Sequence, residues 1–176
     1  MFRRNILQIL ATVALGFALV PSSASAQQKP IKDQLVGAWT LLLDDGVKPD
    51  GTHVPIFGPN PIGTLMFSPS GRYTLQLMRG VNRAPFASNS RDTGTPDENK
   101  AVSQGTLSHF GTYAVDEAGK TINFRIEGSS FPNWEGTNQK RLVTAITDEV
   151  LAYTSPTSST PGQGFTGAEL IWKKVK

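Results

Sequence analysis

Residues 62–78 read IGTLMFSPSGRYTLQLM, two short runs of β-forming residues separated by Ser68-Pro69-Ser70-Gly71. In the second run Tyr73, Leu75 and Leu77 alternate with Arg72, Thr74, Gln76 and Met78, the two-residue period of a strand with one packed and one polar face. The separating residues are turn formers, with Gly71 where a positive φ is needed. The stretch reads as an antiparallel hairpin, and the rest of the chain is built on the same pattern.

Eight such runs occur, at 35–43, 62–68, 72–78, 109–115, 121–127, 139–147, 150–154 and 165–175. In the fifth, Ile122, Phe124 and Ile126 oppose Thr121, Asn123, Arg125 and Glu127. Short turn clusters at 116–120 and 147–149 imply hairpins between sequential neighbours. The fold expected is all-β: an eight-stranded antiparallel up-and-down barrel with one short helix between strands 3 and 4. That helix is signalled by Thr95-Pro96-Asp97-Glu98, a capping box with Pro at the first helical position, and by Gly105 at its end. Its interior offers only Ala101 and Val102 as an apolar stripe, so 80–108 is expected to lie on the barrel as a strap or lid. Residues 44–61 are expected to form a flap across one end, and 155–167 a hairpin loop or mobile tip.

The N-terminus carries Arg3 and Arg4, an apolar run from Ile6 to Val20, Pro21 and the small-residue tripeptide Ala24-Ser25-Ala26. This is the layout of a secretory signal peptide over 1–26; the run is about 15 residues, short of the ~20 that span a bilayer. Export to the periplasm or the exterior is expected, with no stable membrane insertion once the leader is removed. Of 176 residues, 150 then remain, enough for one domain, the barrel over 33–176. The whole chain has a net charge of +3. Both leader arginines leave on cleavage, so the mature part has 15 basic against 14 acidic residues. Basic residues are scattered except at Lys173, Lys174 and Lys176, which leaves no phosphate-binding face and argues against nucleic acid as partner. The sequence has no cysteine, so disulfides and thiol chemistry are excluded and the domain depends on its core.

The first strand contains Gly37-Ala38-Trp39, the G-x-W that opens lipocalin barrels, and the last ends in Trp172-Lys173-Lys174, where lipocalins place a basic residue over that Trp. With the wording of NPIGTLMFSPSGRYTLQL (60–77), HFGTYAVDEAGKTI (109–122) and RIEGSSFPNWEGTNQKR (125–141), the chain resembles the bacterial lipocalin-like domain family over 33–176. The resemblance implies a small, often secreted barrel and assigns no activity. The chain departs from true lipocalins in lacking a Thr-Asp-Tyr motif between mid-barrel strands and a cysteine pair.

An eight-stranded barrel is either filled by side chains or hollow enough for one small ligand. Arg125 and Glu127 share a face, and Arg141 opens the next strand. Together they form either an anion-holding cluster on the inner wall or an outward ion-pair ladder. Trp134, after Phe131-Pro132-Asn133, either stacks on a ligand at the mouth or plugs the barrel end. Glu127 and Glu135 do not define a glycosidase pair, because nothing sets their separation. His53 and His109 are the only histidines, too few soft ligands for a metal site. For proton transfer the candidates are His109 with Tyr113 or Glu127. Gly162-Gln163-Gly164-Phe165-Thr166-Gly167 matches a nucleotide-binding fingerprint in letters but precedes a strand, so it lacks the mechanism.

The leading expectation is an exported binding protein for a small, partly apolar ligand, needing no metal or cofactor. Its ligand contacts would come from Trp39, Tyr73, Tyr113, Arg125, Glu127, Trp134 and Arg141, with Phe67, Met78 and Phe124 in the walls. The rivals are a cofactor-free isomerase or cyclase on the same barrel and a ligand-free structural module of the cell envelope.

Overall fold

The computed structural model describes residues 29–155 and 164–176. The signal-peptide segment and residues 156–163 of the last expected loop lie outside the described residues. In chain order the elements are α1 (Ile31–Leu35), β1 (Gly37–Val47), β2 (His53–Pro55), β3 (Ile62–Phe67), β4 (Arg72–Met78), α2 (Pro96–Gln104) and β5 (Thr106–Asp116). They continue with β6 (Thr121–Ser129), β7 (Asn138–Ile146), β8 (Val150–Ser155) and β9 (Gly167–Lys174). Single 3-10 turns occupy Arg91–Thr93 and Pro132–Trp134.

All pairings are antiparallel, in the order β2-β1-β3-β4-β5-β6-β7-β8-β9, and β1 also pairs with β9. The sheet therefore closes into an eight-stranded barrel, with β2 added on the part of β1 that β3 leaves unpaired. One side of β1 is shared: Gly37–Thr40 pair with β3, and Asp45–Val47 pair with β2. The hairpin at 62–78 forms as read, with Phe67 opposite Tyr73 and Leu65 opposite Leu75.

Three expectations change. Leu35 belongs to α1, and β1 runs from Gly37 to Val47. The stretch read as a flap is partly sheet, because β1 extends into it and β2 folds back on β1. The helix consequently follows the fourth strand, not the third: it lies between β4 and β5. Its capping box is present, with Thr95 accepting from the Glu98 amide and Glu98 accepting from the Thr95 amide. None of its residues is buried, as the thin apolar stripe implied.

The core runs through Trp39, Leu65, Ile122, Phe124, Leu151 and Trp172, all essentially inaccessible. Each such side chain contributes about 1.5–3 kcal/mol by leaving water. α1 closes one end of the barrel. The Glu117 carboxylate, in the β5–β6 turn, accepts from the Ile31 and Lys32 amides at 2.8 and 2.9 Å, satisfying donors at the helix start. Trp39 Nε1 donates to the Leu35 carbonyl at 2.8 Å, and Lys174 Nζ lies 4.8 Å from the Trp39 ring centre while donating to the Gln34 carbonyl at 2.7 Å. The basic residue thus sits over the first-strand tryptophan.

A bulge in β1 decides what the interior contains. The register with β9 shifts between Leu41 and Leu43. Trp39 and Leu41 face inward before the shift, whereas Asp44 and Gly46 are buried after it. One extra residue reverses the alternation and carries the Asp44 carboxylate into the barrel.

Candidate functional site

Period-two alternation in β6 sends Ile122, Phe124 and Ile126 into the core, so Arg125 and Glu127 must project outward. Both are exposed: Arg125 donates to the Gly136 carbonyl at 2.6 Å, and Glu127 pairs with Arg72 at 2.8 Å across the outer surface. The Arg-Glu-Arg cluster on an inner wall is therefore not formed. Arg141 alone of the three faces inward, opposite Ile122, with 7% of its surface exposed while the neighbouring Leu142 is 47% exposed. An arginine turned in beside a leucine turned out reverses the usual preference, the kind of local conflict that marks functional sites.

Around Arg141, which stands on β7, the barrel gathers side chains from five further strands. Asp44 comes from β1 and Leu77 from β4, His109 from β5 and Tyr153 from β8, and Leu170 from β9, with Ile56, Phe57 and Trp134 covering them from the connecting segments. They enclose a cavity of about 40 Å³. Phe57 and Trp134 are both buried. Trp134 stands edge-on to His109 at 5.8 Å and to Phe131 at 5.8 Å, so the 3-10 turn supplies the cover over the cavity.

The electrostatics follow from burial. Arg141 uses part of its guanidinium on the Lys140 carbonyl at 2.9 Å and Gln139 Oε1 at 2.6 Å, and its carbon centre lies 5.8 Å from the Phe124 ring. Burial pulls its pKa down, against the pull of Tyr153, Tyr73 and Asp44. No carboxylate among the described residues lies within ion-pair distance of it. Burial and the adjacent Asp45 push the Asp44 carboxyl up to about 7, with Arg141 acting in the opposite sense. Burial, helped by the Arg141 charge, holds His109 down to about 3, and its Nδ1 shares a 2.9 Å hydrogen bond with the Tyr73 hydroxyl. The Tyr73 and Tyr153 hydroxyls are raised by burial. At neutral pH the cluster thus holds one permanent cation, one carboxyl near its midpoint, and neutral donors and acceptors.

Of the expected contacts, Arg141 and Trp134 border this cavity, and Tyr73 braces His109 from behind. Trp39 and Tyr113 do not border it. Trp39 belongs to the closed end, and the Tyr113 hydroxyl donates to the Ser68 carbonyl at 2.9 Å while its ring packs edge-on to Phe67. Met78 shares the outward parity of Arg72 and Gln76 on β4. The proton-transfer pairings of His109 with Tyr113 or Glu127 are absent as well: Tyr113 is bonded elsewhere and Glu127 is outside the barrel. His53 lies on the outer β1–β2 hairpin, 3.9 Å from Asp45 and 3.6 Å from Glu169. Among the described residues no group of His, Asp and Glu is placed to hold a metal ion.

Asp44, Phe57 and Tyr153 carry no motif. Asp44 in particular stood at the head of an expected loop, and only the bulge makes it interior. Open grooves of about 610 and 620 Å³ flank α2, both touching Phe86 and Val102. They lie beside α2 and share no lining residue with the cavity at Arg141.

A closed eight-stranded barrel with a polar cluster inside and a tryptophan–lysine latch at one end defines a lipocalin-like architecture. The chain belongs to the lipocalin-like domain family, whose model matches residues 36–175. No curated protein matches it. Among solved structures it is similar to a lipocalin-like protein from Bacteroides uniformis, at 15% identity and TM-score 0.41, covering 81% of this chain and 99% of that one. It is also similar to a redesigned β-barrel at 11% identity and TM-score 0.44, covering 85% of this chain and 98% of that one.

Proposed function

We propose that the protein is an exported binding protein that takes a small, partly apolar ligand into the open-end half of the barrel. Arg141, Asp44 and His109 form the polar base of the site, and Ile56, Phe57 and Trp134 its rim. The observation that carries this reading is Arg141, buried at 7% exposure, facing a cavity and lacking a direct ion pair among the described residues. A buried cation costs stability unless it is paired, so its retention inside a barrel favours a function over a structural role.

The cavity of about 40 Å³ is small against the ~300–1,000 Å³ of typical ligand pockets. Binding therefore includes displacement of the rim, with Phe57 and Trp134 moving outward to admit the ligand's apolar part. Of the groups expected to move a proton, His109 is not suited to that role. A group held at about 3, as His109 is, is poorly matched to acid–base work near neutral pH, where the best catalytic pKa lies close to the operating pH.

Native mass spectrometry of the protein purified from its own host tests the proposal, together with a thermal-shift screen of small amphiphiles followed by Trp134 fluorescence. A co-purifying or stabilising small molecule whose binding is lost in Trp134→Ala is expected. If no compound from host extract or screen raises Tm or alters the fluorescence, the binding reading is wrong and the barrel is a filled structural module.

A further inference from the structure

Among the described residues, the N–H groups of Arg141 not used by Lys140 and Gln139 have no acceptor, and a guanidinium presents them as a planar fork. The shape that satisfies a planar fork through two parallel hydrogen bonds is a carboxylate. The cavity beside Arg141, about 40 Å³, has room for a small planar head group and little more. The rest of the lining is largely apolar, with Leu77, Leu107 and Leu170 together with Ile56 and Phe57. We propose, resting on the binding reading above, that the ligand is a monocarboxylic acid with an aliphatic tail. Its carboxylate is seated on the Arg141 guanidinium, and its tail passes out between Phe57 and Trp134.

Asp44 gives this site a further property. Its carboxyl looks onto the same cavity and makes no hydrogen bond to the described residues. An incoming carboxylate adds a second negative charge next to it. Asp45, already its neighbour, acts in the same direction, Arg141 opposes, and Tyr73, Tyr153 and His109 are neutral. Two close carboxyls favour sharing a proton, so the protein takes up a proton as the acid binds near neutral pH. Asp44 then turns from a competing anion into a hydrogen-bond donor toward the ligand.

The test compares decanoate, decanol and decylamine, read by Trp134 fluorescence and by calorimetry in two buffers of different ionisation enthalpy. Decanoate is expected to bind wild type at least about tenfold more tightly than decanol, with net proton uptake. Arg141→Gln is expected to lose about tenfold or more for decanoate while leaving decanol unchanged. Arg141→Lys keeps the charge without the fork and keeps the test open if the glutamine variant does not fold; it is expected to bind decanoate more weakly than wild type. Asp44→Asn is expected to bind decanoate at least as tightly as wild type, with the proton uptake abolished. If decanol matches decanoate and neither Arg141 variant changes their ratio, the carboxylate inference is overturned while the binding reading stands. Preferential binding of decylamine overturns it as well, by assigning the site to Asp44 and a cation. If none of the three binds and no ligand co-purifies, the binding reading falls and takes this inference with it.

Discussion

The Tyr73 hydroxyl and His109 Nδ1 meet at 2.9 Å inside the barrel, with their rings edge-on at 5.5 Å. Both residues are buried, so this hydrogen bond satisfies groups that water does not reach. Tyr73→Phe removes one partner and leaves the imidazole nitrogen unpaired. A loss of about 1–3 kcal/mol is expected, measurable by urea unfolding. A neutral result would show that water or another group replaces the hydroxyl.

Asp44 and His109 load stability against pH in opposite directions. His109 is held near 3 against an ordinary 6.5. Between those values the unfolded chain binds a proton that the folded one refuses, and stability falls as pH falls. Asp44 is raised to about 7 from 3.8. Between those values the folded chain holds a proton that the unfolded one has lost, and stability falls as pH rises. The windows overlap from 3.8 to 6.5, where the two slopes cancel. Asp44→Asn exposes the histidine slope, so its stability should rise by about 1.4 kcal/mol per pH unit across the overlap. His109→Gln should show the opposite slope. Denaturant melts at about pH 4.5 and about pH 6 check both signs, and identical profiles for the two variants would contradict the assignment.

On the outer surface, Glu127 and Arg72 form an ion pair at 2.8 Å with both side chains well exposed. Exposed pairs of this kind contribute about 0–1 kcal/mol. Glu127→Gln and Arg125→Ala should each change unfolding free energy by no more than about 1 kcal/mol and leave ligand retention intact. Loss of ligand in Arg125→Ala would return that residue to the binding machinery.

At the closed end, Lys174 joins two elements far apart in sequence by covering the Trp39 ring and donating to the Gln34 carbonyl at 2.7 Å. Lys174→Met keeps most of the stem but removes the charged donor and the cation over the indole. A cost of about 1–2 kcal/mol is expected from the lost charge-assisted hydrogen bond and ring contact, read as a lower Tm. Ligand affinity should not change, because the latch lies apart from the Arg141 cavity.

Helix α2 buries none of its residues, so its formation is governed by its ends. Thr95→Ala removes the side-chain acceptor for the Glu98 amide. Faster amide exchange confined to residues 95–105 is expected, with the barrel strands unaffected. Global destabilisation would mean that the strap is part of the cooperative unit.

Local chemistry made much of the architecture legible before any contact was known. Alternation over 72–78 and 121–127, turn residues at 68–71 and the capping box at Thr95 each act within a few residues, and each appears in the structure. β2 was not legible: a three-residue strand is too short to display a period, and it exists because β1 offers it an edge. Placing the helix after the third strand failed for that reason alone.

The site was legible only in pieces. Trp134 and Arg141 stood out as residue types, but their company did not. Arg125 and Glu127 share a face and Arg141 opens the next strand, which suggests one cluster, whereas the β6–β7 register places Arg141 opposite Ile122, on the inward side. Asp44 reaches the interior through a one-residue shift between Leu41 and Leu43. Alternation and turn composition determine that this chain forms a closed barrel, because those preferences are local and repeat along it. Which charges lie inside was decided only by the assembled sheet, because bulges and inter-strand register depend on neighbours far away in the chain, and a shift of one residue exchanges the two faces.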